Sequence, residues 1–251
     1  MSFLTIENIR LTYQTPQGET QALKNISFQV RQGEFISIVG PSGCGKSTLL
    51  SCISGLTAPT GGKIFLDGRS VKGIQDDIGY MLQTDNLMPW RNIYKNVLLG
   101  LEIQKKLTDE NVEYACRLLK KYGLWEFRDA YPSALSGGMR QRVALIRTLT
   151  VKPSLLLLDE AFSALDYQTR VSVSRDVYNI LRKENKTMIM VTHDIPEAVA
   201  MSDRVIILSA RPAVVAKTVQ CDFGPRRNPL NIRSDAEFRA CYEQVWKELT
   251  K

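Results

Sequence analysis

Long apolar runs are missing from this chain. No purely apolar stretch exceeds four residues, as in Leu155-Leu-Leu-Leu158, whereas a helix crossing a bilayer takes about 20. No membrane-spanning segment is therefore expected. The N-terminus, Met1-Ser-Phe-Leu-Thr-Ile-Glu-Asn8, lacks a basic region followed by an apolar one, so no signal peptide is expected either. The cysteines, Cys44, Cys52, Cys116, Cys221 and Cys241, are odd in number, widely spaced and without a C-x-x-C pair. That argues against a disulfide framework or a zinc site and makes reduced thiols the default. Internal repeats, low-complexity segments and a stripe of aromatics interleaved with Arg or Lys are also lacking. Nucleic acid therefore ranks last among the readings of the +7 net charge. The basic pairs Lys105-Lys106, Lys120-Lys121 and Arg226-Arg227 are scattered. A solvated face comes first among those readings and an anionic membrane surface second.

What is present suits one compact unit: 251 residues, 44% of them hydrophobic, are enough for a substantial core. Residues 3–39 read as β structure, with Ile26, Phe28 and Val30 alternating and Phe35-Ile-Ser-Ile-Val39 forming a short buried strand. A helix is expected from Lys46 to Ser54 and a strand over Lys63–Leu66. From about residue 84 to 135 the pattern turns helical. Val112, Ala115, Leu118 and Leu119 fall at helical spacing between an N-cap at Thr108 and a C-cap at Gly123. Beyond it helices alternate with strands: helix 138–150, strand 155–158, helix 167–184, strand 187–192, helix 196–201, strand 204–208 and a final helix 235–249. Such alternation implies a mostly parallel sheet covered on both faces.

Gly40-Pro-Ser-Gly-Cys-Gly-Lys-Ser47 follows the buried strand and opens a helix. Its glycines let the backbone curl so that N–H groups face phosphate oxygens, and the helix adds its positive end. Lys46 would reach the β- and γ-phosphates and Ser47 would offer a hydroxyl to Mg²⁺. Cys44 inside this loop reads as a small tolerated residue, with a thiol whose modification blocks nucleotide entry as the sharper alternative. Leu155–Leu158 ends at Asp159, placed to hold Mg²⁺ through water, and Glu160 beside it could polarise an attacking water. His193, the single histidine, also follows an apolar strand and is expected to meet a γ-phosphate. Ser136-Gly137-Gly138 before a helix is a second anion-binding design, or else an ordinary helix cap. A second phosphate element in one chain is explained if it serves the nucleotide of a partner copy, in a two-fold symmetric dimer.

With these motifs in one order, the chain resembles the ATP-binding subunit of an ABC transporter over nearly its whole length. Gly40–Thr48 resembles the Walker A loop, Leu135–Gln141 the family signature and Leu155–Glu160 the Walker B strand with its catalytic glutamate. Gln83 resembles the Q-loop glutamine, Ser163-Ala-Leu-Asp166 the D-loop, His193 the switch histidine and Tyr13 the aromatic that stacks on adenine. The resemblance implies ATP and Mg²⁺ as ligands, with Gly40, Pro41, Ser42, Gly43, Cys44, Gly45, Lys46, Ser47 and Thr48 cradling the phosphates and Ser47, Gln83 and Asp159 at the metal. It also implies an α/β P-loop ATPase core with a mostly parallel sheet, an N-terminal antiparallel β subdomain and an inserted helical signature subdomain. The expected division is a core of about 1–83 and 150–220, a helical subdomain of 84–149 and a helical tail of 221–251.

Leu87-Met-Pro-Trp90 and Met139-Arg-Gln-Arg142 resemble importer subunits of the nitrate, sulfonate and taurine group, as do the Pro/Arg-rich lead and last helix of Asp222–Lys251. The implied partners are a second copy in the ATP-bound state, permease subunits docking near Leu87, Met88, Pro89 and Trp90, and, indirectly, an extracytoplasmic solute-binding protein. The implied location is peripheral, on the cytoplasmic face of the membrane. Ala161-Phe162-Ser163 departs from the group's usual Pro-Phe-Gly and is expected to leave the backbone after Glu160 less restrained. Met139 stands where glutamine is commonest in the family at large. Two rivals remain at this point. A soluble ABC-type ATPase acting on DNA would carry a long coiled coil between Lys46 and Asp159, and sustained heptads are missing there. A P-loop phosphotransferase would need neither the signature nor the switch histidine.

Overall fold

The computed structural model describes residues 2–16, 18–163, 165–183, 185–224 and 232–250. Ala164 of the D-loop motif, Glu184, Arg226-Arg227 with most of the Pro/Arg-rich lead, and Lys251 lie outside the described residues. The chain forms two compact units, one of residues 1–75 and 177–251, the other of residues 76–176. The helical segment anticipated over 84–149 falls within the second.

The first unit opens with strands β1 (Ser2–Thr15) and β2 (Gly18–Arg31), paired antiparallel. β3 (Phe35–Val39) follows and is buried at every residue. Helix α1 (Lys46–Ile53) comes next, then β4 (Gly61–Leu66) and the short β5 (Arg69–Ser70). β4 pairs antiparallel with β1, so β2-β1-β4-β5 is a four-stranded antiparallel sheet. Its inner face is supplied by alternating residues such as Leu4, Ile6, Ile26 and Val30, all buried.

The second unit holds β6 (Ile78–Met81), α2 (Ile93–Ile103), α3 (Asp109–Lys121), α4 (Gly137–Thr150) and β7 (Leu155–Asp159). β6 and β7 pair in parallel, Ile78 beside Leu155 and Met81 beside Leu158. Gly79 lies where a Cβ would come within 2.7 Å of Pro153, so the strand pair and the turn after α4 close against each other. The caps match the sequence signals. Thr108 Oγ1 accepts the Asn111 N–H at 3.3 Å, and Gly123 just past α3 takes φ +68, the left-handed stop of a helix.

Helix α5 (Tyr167–Lys183) leads back to the first unit, which continues with β8 (Thr187–Val191), α6 (Ile195–Met201), β9 (Arg204–Leu208) and β10 (Val215–Gln220). β8 and β9 flank β3 in parallel, and β10 adds an antiparallel edge. The last helix, α7 (Ala236–Leu249), buries Phe238 and Val245 against α6, β9 and β10, in a cluster that includes Val199, Ile207 and Val219. The C-terminal helix is thus part of the first unit's core. Among the described residues no helix is long and apolar enough to cross a membrane.

Candidate active site

In the first unit, parallel pairing of β3 and β8 brings two sequence-predicted elements to one edge. Ile38 lies beside Val191, so the loop from Gly40 and the turn carrying His193 both leave at the carboxyl ends of these strands. The loop depends on two glycines in particular. At Gly40 a Cβ would sit 2.9 Å from the Leu208 carbonyl oxygen. Gly45 takes φ +118, and a Cβ there would meet Leu23 at 3.0 Å. Gly45 is also the N-cap of α1 and gives it no side-chain cap. A helix start without a side-chain cap is one where the first-turn N–H groups and the helix dipole can meet an anion.

Lys46 is largely buried, and its Nζ donates to the carbonyls of Gly40 and Pro41 at 2.9 Å each. Pro41, Ser42, Gly43 and Ser47 are exposed and Thr48 is half-buried. The Tyr13 hydroxyl reaches Thr48 Oγ1 at 3.4 Å, and its ring remains 42% exposed at the edge of the loop. Cys44 is buried, and that burial pushes its thiol up from the ordinary value against the opposing pull of Lys46 and Arg211. A buried, protonated thiol fits the bland reading of Cys44. His193 is exposed, on a turn fixed by its neighbours: Thr192 Oγ1 donates to Glu197 at 2.7 Å, and Asp194 caps α6 by accepting the Glu197 N–H at 2.9 Å.

In the second unit the register of β6 and β7 sends Gln83 and Glu160 off the same strand ends. They meet there, with Gln83 Nε2 donating to Glu160 Oε2 at 3.1 Å. Asp159 is buried at the end of β7 and accepts the Tyr80 hydroxyl at 3.4 Å. Glu160 itself takes φ +48, a left-handed conformation uncommon for a residue with a long side chain. The turn after it is closed by the Ser163 N–H donating to the Glu160 carbonyl at 3.1 Å, and Ala161 and Phe162 are buried. Restraint in this segment comes from burial and a turn, with no proline involved.

Ser136 is an N-cap of α4, its Oγ accepting the Met139 N–H at 3.3 Å. Gly137 and Gly138 form the first turn of that helix. Asp166 accepts the Thr169 N–H at 3.0 Å at the start of α5, and Thr169's hydrogen bonds hold its carboxyl below the usual range. The apolar run expected to dock a permease divides on inspection: Leu87 is buried and Met88 half-buried, whereas Pro89 is exposed and Trp90 is 72% exposed. Leu87 is thus part of its unit's core, and the exposed part of the stretch is Pro89 and Trp90.

Several residues that hold this arrangement were not singled out from the sequence. Asn96, fully buried on α2, accepts the Met88 N–H and donates to the carbonyls of Met88, Arg91 and Asn92, clamping the turn that presents Trp90. A lone Asn among Ile93, Val97 and Leu98 on an apolar helix face was the available signal. Arg140 pairs with Asp85 at 3.0 Å, and Arg147 donates to the carbonyls of Asp85 at 2.7 Å and Asn86 at 2.8 Å. Both tie the segment after Gln83 to α4. In the first unit Arg211 donates to the Gly43 carbonyl at 2.7 Å across 168 positions of sequence, a separation at which nothing local could reveal it.

Residues 23–163 match the ABC transporter family. The chain is 45% identical, over 99% of its length and 96% of the relative's, to the ABC transporter ATP-binding protein YtlC of Bacillus subtilis (strain 168). It is 39% identical to the nitrate import ATP-binding protein NrtD of Synechocystis sp. (94% of this chain, 90% of the relative). It is 37% identical to the aliphatic sulfonates import ATP-binding protein SsuB of Bacillus anthracis (90% and 88%). Among solved structures, a dimeric post-hydrolysis state of the ATP-binding cassette MJ0796 bound to ADP and Pi superposes with a TM-score of 0.79 at 32% identity, covering 88% of this chain and all of that one. The chain therefore shares the fold of that solved cassette, belongs to the ABC transporter family and is an ATP-hydrolysing cassette of it.

Proposed function

We propose that this chain is the energy-coupling subunit of an importer for a small anionic solute of the nitrate or sulfonate class. The importer-type relatives support that choice of solute. The observation that carries the catalytic part is the hydrogen bond from Gln83 to Glu160, which places an amide able to sense a metal or phosphate against the carboxylate assigned as base. In this reading the ring of Tyr13 stacks on adenine while Lys46 and the amides of residues 40–48 hold the phosphates. Glu160 takes a proton from the attacking water and His193 orients the γ-phosphate.

In this reading the Ser47 hydroxyl, the Asp159 carboxylate and the Gln83 amide oxygen, all hard oxygens, would hold the metal. Among the described residues no cluster of three or more His, Cys, Asp or Glu side chains could hold a metal alone. That set suits Mg²⁺, which takes one or two protein ligands with substrate phosphates and water. When bound it would neutralise charge on the β- and γ-phosphates.

Two copies would close around two nucleotides, with Ser136, Gly137 and Gly138 of one covering the γ-phosphate held by the other and Asp166 linking the sites. Loss of the γ-phosphate then releases the pair, a two-state element that the permease can follow. The subunit would sit peripherally on the cytoplasmic face of the membrane. Light scattering on Glu160→Gln should show a monomer that becomes a dimer only with ATP, while kcat falls about 10²–10⁴-fold. A monomer at saturating ATP, with the wild type still turning over, would mean a self-contained site. Trp90, held out on the Asn96-clamped turn, is assigned to the permease contact. Trp90→Asp should weaken co-purification with permease subunits by about thirtyfold or more while leaving the thermal midpoint of the isolated chain unchanged.

A further inference from the structure

The phosphate loop is braced by a segment that no motif includes. Between β9 and β10, the turn of residues 209–214 is closed on itself: the Ser209 N–H donates to the Val214 carbonyl at 3.0 Å, and the Val214 N–H to Ser209 Oγ at 3.1 Å. The turn is also stitched to β2, with the Ala213 N–H donating to the Ala22 carbonyl at 3.0 Å and the Lys24 N–H to the Ala213 carbonyl at 2.9 Å. β2 and β9 in turn touch the loop, since Leu23 lies against Gly45 and the Leu208 carbonyl against Gly40. Arg211 therefore projects from a turn anchored at both ends, and its donation to the Gly43 carbonyl costs little further ordering of backbone.

The chemistry of that one hydrogen bond is specific. A loop that turns its N–H groups toward a phosphate must turn carbonyl oxygens away from it, and those oxygens need donors. Lys46 serves Gly40 and Pro41, and Arg211 serves Gly43. Gly43 takes φ +71, and its carbonyl belongs to the same peptide unit as the Cys44 N–H, which donates to the Pro41 carbonyl at 3.3 Å and so closes a turn of the loop. A cationic donor on the oxygen polarises that unit and makes its N–H a stronger donor. The charge is felt at the loop, because Arg211 is among the groups that oppose the burial-driven rise at Cys44.

We propose that Arg211 is a positioning residue for nucleotide binding: it fixes the Gly43–Cys44 peptide of the phosphate loop and adds positive potential behind it. The proposal rests on the reading that residues 40–48 hold the phosphates. Its signature is a change in affinity with little change in turnover, because the brace acts on bound nucleotide in ground and transition states alike.

The test is calorimetric titration of the full chain with ADP and Mg²⁺, together with ATP turnover, for the wild type, Arg211→Ala, Arg211→Lys and Lys46→Ala. Arg211→Ala should bind ADP about tenfold more weakly, raise KM to match and leave kcat within about twofold. Arg211→Lys, which keeps the charge and one donor, should recover most of the loss. Wild-type affinity in Arg211→Ala, with binding lost in Lys46→Ala, would overturn the proposal and leave the phosphate-loop reading intact. Wild-type affinity in Lys46→Ala as well would overturn that reading and the proposal with it. A loss in Arg211→Ala that tracks a fall in thermal midpoint and is not rescued by lysine would make Arg211 an ordinary brace of the fold, which also overturns the proposal.

Discussion

Helices α1 and α4 both start at a glycine-containing segment that the sequence marks as anion-binding, yet the two starts are built differently. α1 begins at Gly45 with no side-chain cap, and the side chain of Lys46 folds back over loop carbonyls. α4 begins at Ser136, whose hydroxyl already caps the first turn, and Arg140 secures that turn by donating to the Leu135 carbonyl at 2.8 Å. The first start holds no side-chain cap for a phosphate to displace. At the second the Met139 N–H is already taken by Ser136, so a phosphate there must share the turn with a cap. The difference fits a division of labour in which the first start binds nucleotide alone and the second engages only when another copy delivers one.

The comparison can be broken most forcefully at Lys46. Lys46→Ala should weaken nucleotide binding by about a hundredfold, the scale of a lost charge-assisted contact, with direct titration as the check. Equal loss from substitutions at α4 in the isolated chain would erase the distinction. A smaller effect comes from the buried thiol of Cys52 on α1, which burial pushes up to about 11 from the ordinary 9.0. Above pH 9 the unfolded chain releases this proton while the folded chain keeps it, so stability falls as pH rises toward 11. The loss should be about 1 kcal/mol by pH 10, seen as a lower thermal midpoint that Cys52→Ala flattens. The smallest effect is at the second start. Ser136→Ala should cost about 1 kcal/mol of stability and leave ADP affinity of the isolated chain unchanged, while impairing ATP-driven dimerisation. A direct loss of ADP affinity in that variant would show that α4 binds nucleotide within its own chain.

Legibility followed how local each signal was. The strand–loop–helix of residues 35–53 could be read because β3 is apolar at every residue but Ser37 and the glycines sit at fixed offsets. The cap at Thr108 and the left-handed stop at Gly123 were legible for the same reason, each being decided within four residues. β10 was missed because its pattern exposes most of its residues and buries only Val219 fully, leaving no alternation to detect on an edge strand. The side-chain clamps were missed because their partners are distant or are backbone atoms: Arg211 reaches Gly43, Arg147 reaches the carbonyls of Asp85 and Asn86. Burial at Leu87 could not be decided from sequence because a four-residue apolar run on a turn carries no period from which to assign faces.

Residue 160 carries a tension between reach and backbone. Its left-handed φ of +48 would be met more easily by glycine, asparagine or aspartate than by glutamate. Aspartate would relieve the backbone and keep a carboxylate, but it is one methylene shorter than the side chain that meets Gln83 at 3.1 Å. If Glu160 is the base, as proposed, drift toward a more comfortable turn runs toward a slower enzyme, and the residue that suits the chemistry is the one the chain folds less willingly.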